Sequence, residues 1–110
     1  MKAMTNEDRV LDALGDPTRR TIFKRLRHGS RSVGDLAAGL DVTRSAVSQH
    51  LGVLVAAKLA TYRPEGTKRL YVADRRGVEA LRDWLDGFWT EALTAFKAAA
   101  EKQAAKERKS

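Results

Sequence analysis

Segment 43–55, TRSAVSQHLGVLV, sets forked and short polar side chains between aliphatic ones at helical spacing. Ala46, Val47, Leu51, Leu54 and Val55 recur in steps of a helical turn and read as the buried stripe of a helix capped by Thr43. What remains outside is Arg44, Ser45, Ser48, Gln49 and His50. The chemistry of that set is base-edge recognition. A guanidinium can donate twice to guanine O6 and N7, and a carboxamide can pair with adenine N6 and N7. Thr43 and Ser45 are short donors for phosphate oxygens at a helix N-terminus, where the peptide dipoles favour an anion. Ser48 suits either target, whereas the ring of His50 is as compatible with surface packing as with a nucleic-acid contact. A helix face that is merely solvated more commonly mixes Glu with Lys.

A second basic group, Arg63, Thr67, Lys68 and Arg69, surrounds Gly66. A third lies upstream, where residues 17–31 hold Arg19, Arg20, Lys24, Arg25, Arg27 and Arg31 without one acid. The whole chain has 110 residues and a formal net charge of +7. That surplus favours a polyanionic partner, because each cation near a phosphate displaces a condensed counterion. Some of the upstream cations are therefore expected along a phosphate backbone.

The elements that must position these groups follow from period and punctuation. Residues 7–15 put Val10, Leu11 and Leu14 on one helical face, and Gly15 stops that helix. Asp16 caps a second helix with Pro17 in its first position, running to about His28 and ended by Gly29. Ser32 caps a third, whose apolar face is Val33, Leu36, Ala37 and Leu40. A short break at Asp41 and Val42 leads into the helix begun by Thr43, so these two helices cross steeply as a helix-turn-helix over 32–56. Residues 59–63 and 69–72 read as strands of a hairpin, with 64–68 as its loop and 59–72 as a wing. From Gly77 the helical period returns through Val78, Leu81, Leu85, Phe88, Ala92 and Phe96, to about residue 100. Residues 1–6 are expected to be a flexible N-terminus and 101–110 a frayed basic tail. The fold class is mainly α with a β-hairpin wing, in the order α-α-α-α-β-β-α, as one domain.

With no cysteine, disulfides, thiolate ligands and thiol redox chemistry are excluded. The start, MKAMTNEDRV, lacks an apolar run and carries acids, so it does not read as a signal peptide, and no stretch is apolar enough to span a membrane. A cytoplasmic protein is the expectation. There is no glycine-rich phosphate loop and no nucleophile beside a base, so neither an enzyme nor a cofactor is expected.

DALGDPTRRTIFKRL, followed by DLAAGLDVTRSAVSQHLGVLVAAKL and a hairpin, resembles the ArsR/SmtB-type transcriptional repressors over residues 8–96. VTRSAVSQHLGVL carries most of the likeness, as the family's recognition helix, and DPTRR the next share. The resemblance implies a winged-helix homodimer that binds double-stranded DNA at an inverted-repeat operator and represses transcription. It also implies a dimer interface built from the first and last helices, here segments 7–15 and 77–100. The residues agree: Leu81, Trp84, Leu85, Phe88, Trp89, Leu93 and Phe96 present more apolar surface than one small domain covers. With Val10, Leu11 and Leu14 they make the expected interface. The alternative is that both tryptophans cap the core of a single subunit.

The chain departs from the metal-sensing members. Where they carry Cys-x-Cys it has Ser32, Val33 and Gly34, and its last helix holds Asp83, Asp86 and Glu91 without a histidine. His28 and His50 fall in different elements. No metal site is expected. The tight turn, where the family often has glycine, carries Asp41, a residue that tolerates left-handed backbone. Constitutive repression, a small apolar ligand near Trp84, Phe88 and Trp89, and a partner protein as effector are equally compatible with the sequence. A second class stays open, a winged-helix interaction or dimerisation module with an incidental basic surface. Such a module would not need Arg44, Ser48 and Gln49 on one face.

Overall fold

Thr5 opens the first helix, α1 (Asn6–Leu14), with a reciprocal cap. Its hydroxyl accepts from Asp8 N–H at 3.2 Å and Asp8 accepts from Thr5 N–H at 3.3 Å. The computed structural model describes residues 3–109. Of the expected flexible N-terminus, residues 1 and 2 lie outside the described residues, and Asn6 already belongs to the helix. Gly15 closes α1 at φ −71°, through its N–H to the Asp12 carbonyl, and not through a left-handed turn.

Asp16 caps α2 (Pro17–Arg25), with Pro17 at the position where a missing N–H is harmless. A single 3-10 turn, Leu26–His28, extends it to Gly29, whose φ of 107° only glycine adopts readily. Ser32 and Asp35 form a second capping box on α3 (Val33–Ala37), and Thr43 caps α4 (Arg44–Ala56).

The connection between α3 and α4 is longer than the two or three residues the sequence suggests, because α3 ends at Ala37 and α4 begins at Arg44. The left-handed residue is Gly39, at φ 75°, and Asp41 is not left-handed. Apolar periodicity carried the helix too far, since Leu40 does pack against the core, but from the turn.

The hairpin is β1 (Ala60–Glu65) against β2 (Lys68–Ala73), in a register that pairs Tyr62 with Tyr71 and Glu65 with Lys68. Pro64 and Glu65, expected in the loop, are strand residues, and Gly66 and Thr67 alone make the turn. Gly66 has φ 62°, the first position of a two-residue turn of the II′ kind, whose twist matches the strands. Arg31 adds a one-residue bridge to the hairpin, with Arg31 N–H to the Tyr71 carbonyl at 2.9 Å and the reverse bond at 2.8 Å.

The core lies where these elements meet. Val10, Ala13, Ile22, Leu26, Leu36, Val47, Leu51, Leu54, Ala57, Leu59, Ala60 and Tyr71 are buried. The last helix, α5 (Arg76–Lys109), leaves that core after its first turns and has Leu81 packed on its margin. Its 34 residues span about 51 Å, and the longest dimension of the molecule is 75 Å. Residues 101–109, expected to fray, continue the helix. Alanine, lysine, glutamate and glutamine are strong helix formers, Gln103 donates to Glu107 one turn on, and Lys106, Arg108 and Lys109 suit the negative end of the dipole. Residue 110 lies outside the described residues.

The seam between α4 and α5 is tight. Lys58 takes a left-handed φ of 59° and lets Leu59 N–H bond the Leu54 carbonyl at 2.9 Å. Gly77 N–H then bonds the Lys58 carbonyl at 2.8 Å, and a Cβ on Gly77 would sit 2.5 Å from the Ala57 carbonyl oxygen. Asp74, its side chain only 9% exposed, accepts from the Arg76 backbone and guanidinium, which hold its carboxyl below the usual aspartate range. Gly77→Ala is expected to destabilise the fold by about 2 kcal/mol or more through that backbone clash. Urea denaturation of the variant beside the parent checks it, and an unchanged midpoint would contradict the seam.

Candidate nucleic-acid interface

Helix α4 is the element on which the polar face depends, and its N-terminus differs from the others. Thr43 Oγ1 accepts from Ala46 N–H at 3.0 Å, so the cap is in place, but no acid occupies the first turn. Among the described residues every other α-helix carries a carboxylate at its cap or in its first turn: Asp8, Asp16, Asp35, and Asp74 with Glu79. The positive end of the α4 dipole thus has no carboxylate in its own cap or first turn. A Ser/Thr cap without an acid three residues on was legible in the sequence as a signal.

The exposed surface of α4 divides into two rows. Arg44, Ser48 and Gly52 follow one another at helical spacing and line a groove of about 830 Å³ whose opposite wall is the hairpin, with Tyr62, Lys68 and Arg69. Ser45 and Gln49 form the neighbouring row and are exposed beside it. Gly52 was not singled out by sequence. With no side chain and open space around it, it widens the groove between Ser48 and Val55. Arg44 lies across α3, where a Cβ on Gly34 would come within 3.3 Å of its guanidinium. Glycine at position 34 therefore gives that side chain its resting place.

On the hairpin, Arg69 is held in position. Its guanidinium lies 4.3 Å from the centroid of the Tyr62 ring, and its hydrogen bond to the Tyr71 oxygen raises its affinity for its proton. The Tyr62 and Tyr71 rings are themselves 5.3 Å apart. Thr67 and Lys68 complete the rim at the turn. Arg63 pairs across the hairpin with Leu70, so it falls on the other face from Tyr62, Tyr71 and Arg69. There it approaches Glu65 at 3.9 Å. The structure thus brings Lys68, Arg69 and Thr67 together with Arg44 and Ser48, and leaves Arg63 outside the groove. One carboxylate, Asp35, also lines it, but its Oδ2 accepts from the Ser32 N–H in the capping box, which holds its carboxyl below the ordinary range.

The upstream arginines are mostly committed inside the molecule. Helix α1 has no basic residue in its own last turn. Arg19 donates to the Ala13 carbonyl at 2.7 Å and Arg20 to the Leu14 carbonyl at 2.5 Å. Arg25 ties down the end of α3 through the carbonyls of Leu36 at 3.1 Å and Ala38 at 2.6 Å. Arg27 donates to His28 and Arg31 to Ser30. Of the six cations along 17–31, Arg19, Arg20 and Arg25 thus serve as caps on the carbonyls that end α1 and α3. His50, half-buried, has its Nδ1 3.2 Å from Arg19.

The expected interface residues also separate. Val10 is fully buried in the core of the subunit and has no surface for a partner. Leu14 and Leu81 pack partly on the core, while Leu11 is exposed. Trp84 is 44% exposed, Leu85 48%, Phe88 57%, Trp89 61% and Phe96 73%, so the tryptophans do not cap the core. Trp84 and Phe88 stack with centroids 6.0 Å apart. Among the described residues no three His, Asp or Glu side chains converge as metal ligands, and no helix is long and apolar enough to cross a membrane.

Comparison with known proteins places this geometry among regulators. A family model described as a helix-turn-helix domain matches residues 14–63. An HTH-type transcriptional regulator of Mycobacterium tuberculosis is 52% identical over 96 residues, covering 87% of this chain and 90% of its own. The transcriptional repressor SdpR of Bacillus subtilis is 28% identical over 79 residues, covering 72% of this chain and 88% of its own. A solved structure of an ArsR-like transcriptional regulator from Rhodococcus sp. RHA1 superposes with a TM-score of 0.69 at 28% identity, covering 86% of this chain and 92% of that one.

The two kinds of cation should respond differently to substitution. Lys68→Ala is expected to weaken binding to any duplex and to flatten the log–log salt dependence by roughly one unit. Arg25→Ala, which uncaps α3, should lower the melting temperature and leave that slope unchanged. Titrations of labelled duplex at several salt concentrations check both, and equal slopes for Lys68→Ala and the parent would remove the wing from the phosphates.

Proposed function

The chain belongs to the ArsR/SmtB-type family of winged helix-turn-helix transcriptional regulators, and from that premise we propose that it represses transcription as a homodimer on an inverted-repeat operator. As a member of that family it is a DNA-binding regulator, and the alternative of an interaction module with an incidental basic surface is not favoured. The observation that carries the reading is the groove itself. Arg44 and Ser48 on a helix whose N-terminus lacks a carboxylate face Lys68 and Arg69 on the hairpin. B-DNA's major groove, roughly 12 Å wide, admits one α-helix. Helix α4 enters it from its N-terminal end, with Arg44, Ser48 and Gln49 at base edges and Thr43 and Ser45 at phosphates. The wing then follows the adjacent backbone with Thr67, Lys68 and Arg69, supplying affinity more than sequence choice.

The homodimer follows from surface chemistry. A row of Trp84, Leu85, Phe88, Trp89, Leu93 and Phe96 exposed on one helix is an apolar patch of the kind that marks an interaction site. Leu11 on α1 extends it. A two-fold axis through this patch gives two α4 helices that read half-sites about one helical turn, roughly 34 Å, apart.

Selection of bound sequences from a random duplex pool is expected to return a palindrome with that spacing, and a motif without two-fold symmetry would overturn the dimeric reading. On the selected operator, Arg44→Ala and Gln49→Ala should each cost roughly 1–3 kcal/mol and relax preference at one base position. Parent-like binding by both would displace α4 from the reading role. Phe88→Glu is expected to sediment as a monomer and to bind the operator much more weakly; a persistent dimer would place the interface elsewhere.

A further inference from the structure

Arg19 stands where three helices meet. Its backbone N–H donates to Asp16 Oδ1 at 2.9 Å, inside the cap of α2. Its Nε donates to the Ala13 carbonyl at 2.7 Å and its Nη2 to the Asp12 carbonyl at 3.4 Å, closing the end of α1. Its remaining arm, Nη1, reaches His50 Nδ1 on α4 at 3.2 Å. A guanidinium has only donors and stays charged. In this contact His50 Nδ1 is therefore the acceptor, with the ring proton on Nε2.

We propose that Arg19 is a positioning residue for DNA reading: through His50 it ties α4 to the end of α1 and holds that ring as the Nε2–H tautomer. The inference rests on α4 being the reading helix. It follows from rigidity. The planar fork reaches α1 carbonyls with one side and the imidazole with the other, so a turn of α4 about its axis breaks either the Arg19–His50 contact or a bond from Arg19 to α1. Ser48 and Gln49, which precede His50 directly, inherit that constraint. Because α1 carries the exposed Leu11 and packs against α5, the same contact connects the proposed subunit interface to the reading face. Arg19 is half-buried and already engaged on three sides, which is the arrangement of a strut and not of a phosphate contact.

Long-range proton–nitrogen correlation of the imidazole in the free, full-length protein reads the tautomer directly. His50 is expected to show an unprotonated Nδ1 and a protonated Nε2, and a protonated Nδ1 would overturn the proposal whether or not DNA binds. On the selected operator, Arg19→Met is expected to lose about ten-fold in affinity with no change in salt slope, because no phosphate contact is removed. A slope reduced by roughly one unit would make Arg19 a phosphate ligand and end the proposal. Arg19→Met also uncaps α1, so a second pair of variants leaves that cap alone. His50→Asn keeps an acceptor near the Nδ1 position and should recover most of the affinity that His50→Leu loses, and Arg19→Met combined with His50→Leu should be no weaker than the worse single change. Equal losses for Asn and Leu, or fully additive losses in the double variant, would sink the link. Failure of the parent to prefer any sequence would fault the reading of α4, which the tautomer measurement does not depend on.

Discussion

The geometry of the groove depends on how the chain leaves α4. Lys58 enters left-handed backbone at φ 59°, a conformation that costs an ordinary residue roughly 1–2 kcal/mol. The exit it allows is stabilised at once by Leu59 N–H on the Leu54 carbonyl, and Asp74 and Gly77 then bond the Leu59 and Lys58 carbonyls from beyond the hairpin. Both ends of the wing and the start of α5 are thereby fastened to one helix terminus. Any rotation there would swing Lys68 and Arg69 away from Arg44 and Ser48. Gly77 is required because the two helices meet backbone to backbone, and Asp74 with Arg76 orients the turn that brings them there.

A basic chain of this size divides its cations between two tasks, and the division follows from helix termini. Helices α1 and α3 end close to other elements, with carbonyls that need donors, and neither supplies a cation from its own last turn. Arg19, Arg20 and Arg25 on α2 fill that need. Charge-assisted bonds of this kind are stronger than neutral ones, so these side chains fasten the helix ends. Arg44 on α4 and Lys68 and Arg69 on the hairpin line the groove instead. Net charge therefore counts cations that act as internal caps along with those on the groove.

The apolar surface divides in the same way. Val10 faces inward and Leu11 outward on adjacent positions of α1, so one helix serves the core and the exposed patch together. On α5 the core takes Gly77 and part of Leu81, and the large residues from Trp84 onward are left exposed. A helix about 51 Å long on so small a body has to leave most of its apolar face uncovered.

Caps, periods and residue types on single elements were legible in the sequence. Thr43 before α4, Asp16 and Pro17 before α2, the Ser32 cap of α3 and the polar row from Arg44 to Gln49 depend on neighbours within a turn, and local hydrogen bonding decides them. Elements whose limits are set by distant partners were not legible. Leu40 keeps helical spacing yet belongs to a turn, because Gly39 and Arg25 end α3 first. Pro64 and Glu65 look like loop and are strand, because Arg69 and Lys68 pair with them. The sequence by itself determined which helix is polar, capped and free of acid at its start, since those properties lie within a few residues of Thr43. Only the tertiary structure decided which cations face that helix and which are spent on caps, since a carbonyl's need for a donor exists only once another helix has ended beside it.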